Sequence, residues 1–185
     1  IATSNKITIT DKFEVLANAT NVIVIDFDLR KTIKEEKDGL SSDFNFVTMA
    51  ELTAGIRTVN AELTGKISGS VNDANNTSDK IIVYAYEKGT FNADVETQGK
   101  GESEVTFANA VTSTEVKNLS GSYSLDFLEE GEYELIFASY KEDDNSEFYF
   151  NALLNVESTT GLNLGAIEIN SAIQISANVT VTGTK

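Results

Sequence analysis

Apolar and polar residues alternate with period two along most of the chain, and the three-to-four spacing of an amphipathic helix is scarce. Near the start, Ile7–Thr10 and Phe13–Leu16 are short extended patterns, followed by a polar turn over Asn18–Asn21. Val22–Leu29 then predicts a strand with apolar residues on both faces at its beginning. Arg30–Asp38 is charged and suits one helical turn, while 44–49 and 55–60 are open between strand and irregular structure. From Leu63 the alternation becomes regular. It predicts strands over Leu63–Val71, Ile81–Glu87, Val105–Val116, Ser122–Leu128, Glu132–Tyr140, Glu147–Val156, Asn163–Ile169 and Ala172–Val181. Short stretches of Gly, Asn, Asp and Ser separate them, which is the spacing of a sandwich and not of a parallel α/β sheet.

The segment Asn118–Leu135 carries the most information. Gly121 ends a turn with positive φ and launches a strand whose Tyr123, Leu125 and Phe127 share one face. Gly131 is expected to act in the same way for the next strand, which turns Tyr133, Leu135 and Phe137 inward. The opening strand of this half, Leu63-Thr-Gly65-Lys-Ile67-Ser-Gly69-Ser-Val71-Asn-Asp73-Ala, and the run Ile82-Val83-Tyr84-Ala85-Tyr86 complete a set of motifs over about 120 residues. Together they resemble the transthyretin-like, or carboxypeptidase regulatory-like, modules. The resemblance implies an all-β fold, a transthyretin-like (prealbumin-like) Greek-key β-sandwich over 63–185. The chain departs from that pattern in having no Pro in the first loop or before Gly131, and in a long insertion at Thr90–Thr106.

Residues 1–62 carry a second likeness. The run Phe13–Ile33, with Ile25-Asp26-Phe27-Asp28-Leu29-Arg30-Lys31-Thr-Ile33 at its centre, resembles the end of a bacterial lipoprotein domain of unknown function, over about residues 5–60. Ile56-Arg57-Thr-Val59 is similar to that domain's last element, and Gly65–Val71 to the segment that commonly follows it. The resemblance implies that a partial β domain precedes the sandwich and that its first strands lie upstream of Ile1. The chain opens without an initiator Met, so a longer protein is expected around it.

Composition narrows the chemistry. Hydrophobic residues make up 41%, with 10 Phe and 6 Tyr, enough for a packed core. Twenty-nine acids against 14 bases give a net charge of −15, which repels phosphate backbones and anionic headgroups and so argues against nucleic acid and lipid-surface partners. The asymmetry is local. Residues 1–62 hold 10 acids and 7 bases, which leaves 19 acids and 7 bases to 63–185. His and Cys are both absent, which removes imidazole bases, thiol nucleophiles, disulfides and His or Cys metal sites. Pro is absent too, so the turns depend on Gly, Asn, Asp and Ser. No apolar run reaches the roughly 20 residues that span a bilayer.

Among acidic residues, Asp26 and Asp28 share one face of a strand, a spacing that suits a carboxylate pair or calcium; a structural acid pair is the simpler account, because no base or nucleophile accompanies them. The best metal candidate is Glu142, Asp143, Asp144, Asn145 and Glu147, oxygen donors packed into one hairpin loop of the kind Ca²⁺ takes, though without the EF-hand spacing. Asn72–Asp79 is a second such loop, and a solvated acidic turn accounts for either. Lys66 and Asn178, on the first and last strands, are where an intramolecular isopeptide bond would fall, but no acid is placed to drive it. Tyr84, Tyr86, Tyr123, Tyr133, Tyr140 and Tyr149 suit either a glycan-binding face or core filling with a wet hydroxyl end.

These residues and resemblances lead to one expectation: a non-enzymatic structural or adhesive module of a bacterial surface lipoprotein, exported to the outer membrane, cell surface or periplasm. Its partners would be protein or glycan at the envelope, with a lipid anchor upstream and no cofactor beyond the candidate Ca²⁺. The alternative expectation is a carbohydrate- or calcium-binding accessory domain of a secreted enzyme.

Overall fold

The computed structural model describes residues 7–9, 12–38, 41–118 and 121–185, without the side chains of 35–38 and 41–43. The chain is all-β with short helices, and it divides into two compact units. The first takes Ile1–Glu62 and Asn92–Ala108; the second takes Leu63–Phe91 and Asn109–Lys185.

In the first unit, β1 (Ile23–Phe27) pairs antiparallel with β4 (Ile56–Asn60), and β2 (Ile33–Asp38) pairs with β3 (Ser41–Phe46). The apolar run at 22–29 is therefore a strand, as its pattern predicts. The charged stretch after it is one helical turn, α1 (Leu29–Thr32), that passes directly into β2. Asp28 caps α1 by accepting the Arg30 N–H at 3.1 Å. Between β3 and β4 lies α2 (Met49–Ala54), whose Leu52 packs with Val47 and Ile56 in a small core that Ile9 and Val105 flank. The extended patterns at Ile7–Ile9 and Phe13–Leu16 form no strand. Thr10, the end of the first, lies outside the described residues. The chain near Leu16 is held instead by Asn21, which exchanges hydrogen bonds with its backbone, and buried Asn60 donates to both Asn21 and the Glu14 carbonyl. A short helix, α3 (Ala93–Glu96), with Asn92 as its cap, completes the unit.

The second unit is a sandwich built around β5 (Thr64–Asn72). Along one edge β5 pairs antiparallel with β8 (Ser122–Glu129). Along the other it pairs in parallel, first with β12 (Gln174–Ser176) and then, at Val71 and Asn72, with β13 (Val179–Thr184). From β13 the same nine-stranded sheet continues through β10 (Phe148–Ser158), β9 (Gly131–Glu142), β6 (Lys80–Glu87) and β7 (Thr112–Glu115), with β11 (Ile167–Ile169) beside the start of β9. Ile67, Val83, Leu125, Phe137, Ile167 and Val179 lie at the centre of the core between them. β6 turns Ile81, Val83 and Ala85 to that core, yet Ile82, Tyr84 and Tyr86 on its other face are buried as well. This explains why it reads as a continuous apolar run.

Four expectations are corrected. The stretch 105–116 is strand only over Thr112–Glu115, and 172–181 is two strands. Gly131 is not in the left-handed region, whereas Gly121 is, at φ 62°. Phe127 does not face inward. It has φ 59° where β8 bulges against β5, so Leu128 takes the buried position after Tyr123 and Leu125 and Phe127 is left half-exposed.

Gly65 and Gly69 sit where other backbone crosses β5. A Cβ on Gly65 would stand 2.9 Å from the Asn170 carbonyl oxygen, and one on Gly69 would run into the Ala177 carbonyl. That same carbonyl accepts the Tyr123 hydroxyl at 2.6 Å, and burial pushes the Tyr123 phenol well above its ordinary pKa. Replacing Gly69 with Ala is expected to cost about 1–3 kcal/mol, the usual penalty for overpacking, read as a lower urea midpoint. Tyr123→Phe, which removes one buried hydrogen bond, is expected to cost about 1 kcal/mol in the same measurement.

Candidate functional site

Three groups of charged side chains among the described residues bear on function: a cluster around β1 and β4, a carboxylate clamp at α2, and the acidic loops of the sandwich.

On β1, Asp26 lies opposite Arg57 of β4 and takes its guanidinium through Nε at 3.0 Å and a terminal nitrogen at 2.9 Å. Asp28, two residues on, caps α1 and stands 3.9 Å from the Lys31 ammonium. Lys31 is buried, and burial pushes its pKa down; Asp28 opposes that shift most, Arg57 adds to it, and Glu96 and Asp26 also oppose it. Glu96, on α3, is itself buried. The two aspartates are therefore a pairing acid and a capping acid. Each carboxylate is held by a cation or a backbone N–H of its own unit.

The clamp is the feature that reading the sequence missed. Glu51 and Thr48 form a capping box: the Thr48 N–H donates to Glu51 Oε2 at 3.0 Å, and the Glu51 N–H donates to Thr48 Oγ1. The Thr48 hydroxyl also donates to Oε2, at 2.7 Å. The same carboxylate then receives the Ser103 N–H at 3.0 Å and the Ser103 hydroxyl at 2.7 Å. Gly101, at φ 76°, leaves room for Oε1, since a Cβ there would meet it. With Ser103 supplying the two strongest bonds, the Glu51 carboxyl is held down to about 2. The Thr48-x-x-Glu51 spacing was the available signal for the cap; nothing in the sequence points across 52 positions to Ser103.

In the sandwich, Glu142–Glu147 is a tight hairpin turn between β9 and β10. Asp143 Oδ1 accepts the N–H groups of Asn145 and Glu147, both at 2.9 Å, and the Asp143 N–H donates to the Glu147 carbonyl. This is an Asx turn with a left-handed Ser146 at its end. Among the described residues no three acidic side chains converge closely enough to hold a metal ion. In Asn72–Asp79, Asp73 Oδ2 accepts from Thr77 Oγ1 and the Ser78 N–H, while its Oδ1 is buried without a protein partner. Asp79 accepts the Glu142 N–H, the main reason its pKa falls, and pairs with Lys141 at 3.4 Å. Glu134 Oε1 takes the N–H groups of Gly89 and Phe91.

Lys66 and Asn178 are engaged separately: Lys66 pairs with Asp126 at 3.2 Å, and Asn178 Oδ1 accepts the Ser70 N–H at 2.9 Å and its hydroxyl at 3.1 Å. Tyr84, Tyr86, Tyr123 and Tyr133 are buried, and the Tyr84 and Tyr140 hydroxyls share a hydrogen bond of 2.7 Å; Tyr149 alone of the six is exposed. No helix among the described residues is long and apolar enough to cross a membrane.

No protein-family model matches the chain, and no curated protein is similar to it. Among solved structures, it is similar to BcpA, the major pilin subunit of Bacillus cereus, at a TM-score of 0.36 and 10% identity, over 92% of this chain and 41% of that one. It is also similar to the pilus-presented adhesin Spy0125 (Cpa) at a TM-score of 0.27 and 10% identity, over 68% of this chain and 29% of that one. Such scores lie below those of a shared fold, and the chain spans less than half the length of either protein.

The clamp makes stability depend on acid. A carboxyl whose folded pKa is depressed stabilises the fold above its unfolded pKa, and that contribution is lost as pH falls through the folded value. Between an ordinary value of 4.5 and about 2, wild-type protein is therefore expected to lose melting temperature faster than Glu51→Gln, which starts lower at neutral pH. Parallel melting curves across that range would contradict the assignment.

Proposed function

We propose that this chain is a non-catalytic structural or adhesive module of a bacterial cell-envelope lipoprotein, displayed outside the inner membrane and acting through its surfaces. The observation that carries the non-catalytic assignment is how its carboxylates are used. Asp26 is paired with a guanidinium, Asp28 caps a helical turn, and Glu51, Glu134 and Asp143 each bind two or more turn or loop donors. In a chain without His or Cys, carboxylates are the most numerous side chains that could supply acid–base chemistry. Here they supply caps, pairs and turns.

The envelope assignment is supported by the likeness of Phe13–Ile33 to a lipoprotein domain and of Leu63–Leu135 to transthyretin-like modules, which follow one another in that order. In this reading the lipid anchor belongs to polypeptide ahead of Ile1, and the partners are proteins or glycans of the envelope.

Two measurements test it. The complete gene is expected to encode a lipid-modified cysteine near its start; a catalytic domain following this chain would point instead to an accessory role. The purified chain is expected to bind an envelope protein or glycan without turning over ester, peptide or glycoside substrates. Hydrolysis abolished by Asp26→Asn or Asp28→Asn would sink the non-catalytic assignment.

A further inference from the structure

One end of the sandwich carries an aromatic face set between charged groups. Lys80 of β6 and Phe150 of β10 both lie opposite Tyr140 of β9, Phe148 lies opposite Glu142, and Glu115 of β7 lies opposite Ile82. Side chains alternate across a sheet, and β6 turns Ile81, Val83 and Ala85 to the core, so these residues share the face directed away from it. Tyr140 and Phe150 meet edge to face, with 6.0 Å between ring centres. Further along, the same face is closed: Ile82, Tyr84 and Ala138 are buried. At this end it is open. Phe148 is 42% exposed, and Tyr140 and Phe150 are half-buried.

The groups this face already holds indicate what it accepts. The Lys80 ammonium stands 3.7 Å from the centre of the Phe148 ring, inside the range of a cation–π contact, and 3.6 Å from a Glu115 carboxylate oxygen. A cation of the chain's own is thus held between a ring and a carboxylate. We propose that this face docks a basic segment of a partner protein, whose Arg or Lys side chains lie on Tyr140, Phe148 and Phe150 between the carboxylates of Glu115 and Glu142.

Charge selects this occupant. The hairpin Tyr140–Phe150 carries four acids and one base, and residues 63–185 carry 19 acids and 7 bases. Such a surface draws a basic segment in and turns an acidic one away. Asp143 is committed to its turn and Asp79 to Lys141, while Glu142 and Asp144 are exposed. Arg suits the rings best, because its planar guanidinium stacks on an aromatic face and can still donate to a carboxylate at the rim. As a docking site the face rests on the protein-partner reading above and narrows it to a basic segment. Its failure would leave the envelope assignment standing, since that is tested on the gene.

The test follows a fluorescein-labelled nona-arginine peptide binding to the full chain by anisotropy at physiological ionic strength. Saturable binding is expected. Phe148→Ala, which leaves the charge unchanged, is expected to weaken it at least about fivefold through the lost cation–π contact. Lys80→Gln is expected to tighten it, because the cation already seated on the Phe148 ring is removed. Lys141→Gln removes the same charge from the opposite face, where Lys141 lies across from Tyr149, and is expected to change the affinity less. A gain in affinity cannot come from a variant that fails to fold. Equal effects from the two lysine substitutions, or an unchanged affinity for Phe148→Ala, would mean diffuse attraction to an acidic surface and would overturn the proposal. So would the absence of binding, or Phe148-dependent binding of neutral maltohexaose in place of the peptide, which would make the face a glycan site.

Discussion

The sandwich depends on the close approach of other backbone to β5 at Gly65 and Gly69. A strand in the interior of a sandwich must give its donors and acceptors to neighbours on two edges while its side chains fill the core. β5 does so with three partners, and one of its edges is shared by β12 and β13 in succession. That succession needs the chain between Asn170 and Ala177 to run close against β5, and any side chain at 65 or 69 would hold it away. The two glycines lose the packing and rigidity of a side chain in mid-strand. In return, the Ala177 carbonyl comes near enough to take the Tyr123 hydroxyl, and the Ala177 N–H reaches the Ser68 carbonyl at 2.8 Å.

Much of this was legible in the sequence, for a definite reason. In the second unit nearly every strand has one face on a common core, so alternation carries the signal, and Gly121 marks an entry by its backbone requirement. Where the reading failed, alternation was misleading or missing. Phe127 fits the inward phase of Tyr123 and Leu125, but the left-handed bulge shifts the phase by one and buries Leu128. β2 and β3, written Ile33–Asp38 and Ser41–Phe46, are too polar to show a period. In α2 the pattern is only six residues long, shorter than the window over which helical periodicity emerges, and its capping box was the better sign.

The carboxylates were harder to interpret than the strands. Acids two apart in a strand, or crowded in a hairpin, have the same sequence appearance whether they bind a metal, act on a substrate or fasten a turn. What separates these roles is the donor each oxygen meets, and donors such as the Ser103 hydroxyl lie far away along the chain. Burial of Lys31 and Glu96 is equally hidden, since both belong to short polar segments that look solvated.

The parallel contact between β5 and β13 has a mechanical consequence. β5 enters the sandwich at Thr64, β13 leaves it at Thr184, and the two overlap only where Val71 and Asn72 meet Val179 and Thr180. Tension applied at those two points would draw the strands lengthwise past one another and load their hydrogen bonds together, in shear. An antiparallel hairpin pulled from its open end would instead break its bonds singly, in sequence. The topology therefore sets these bonds to resist such a pull together and not one at a time.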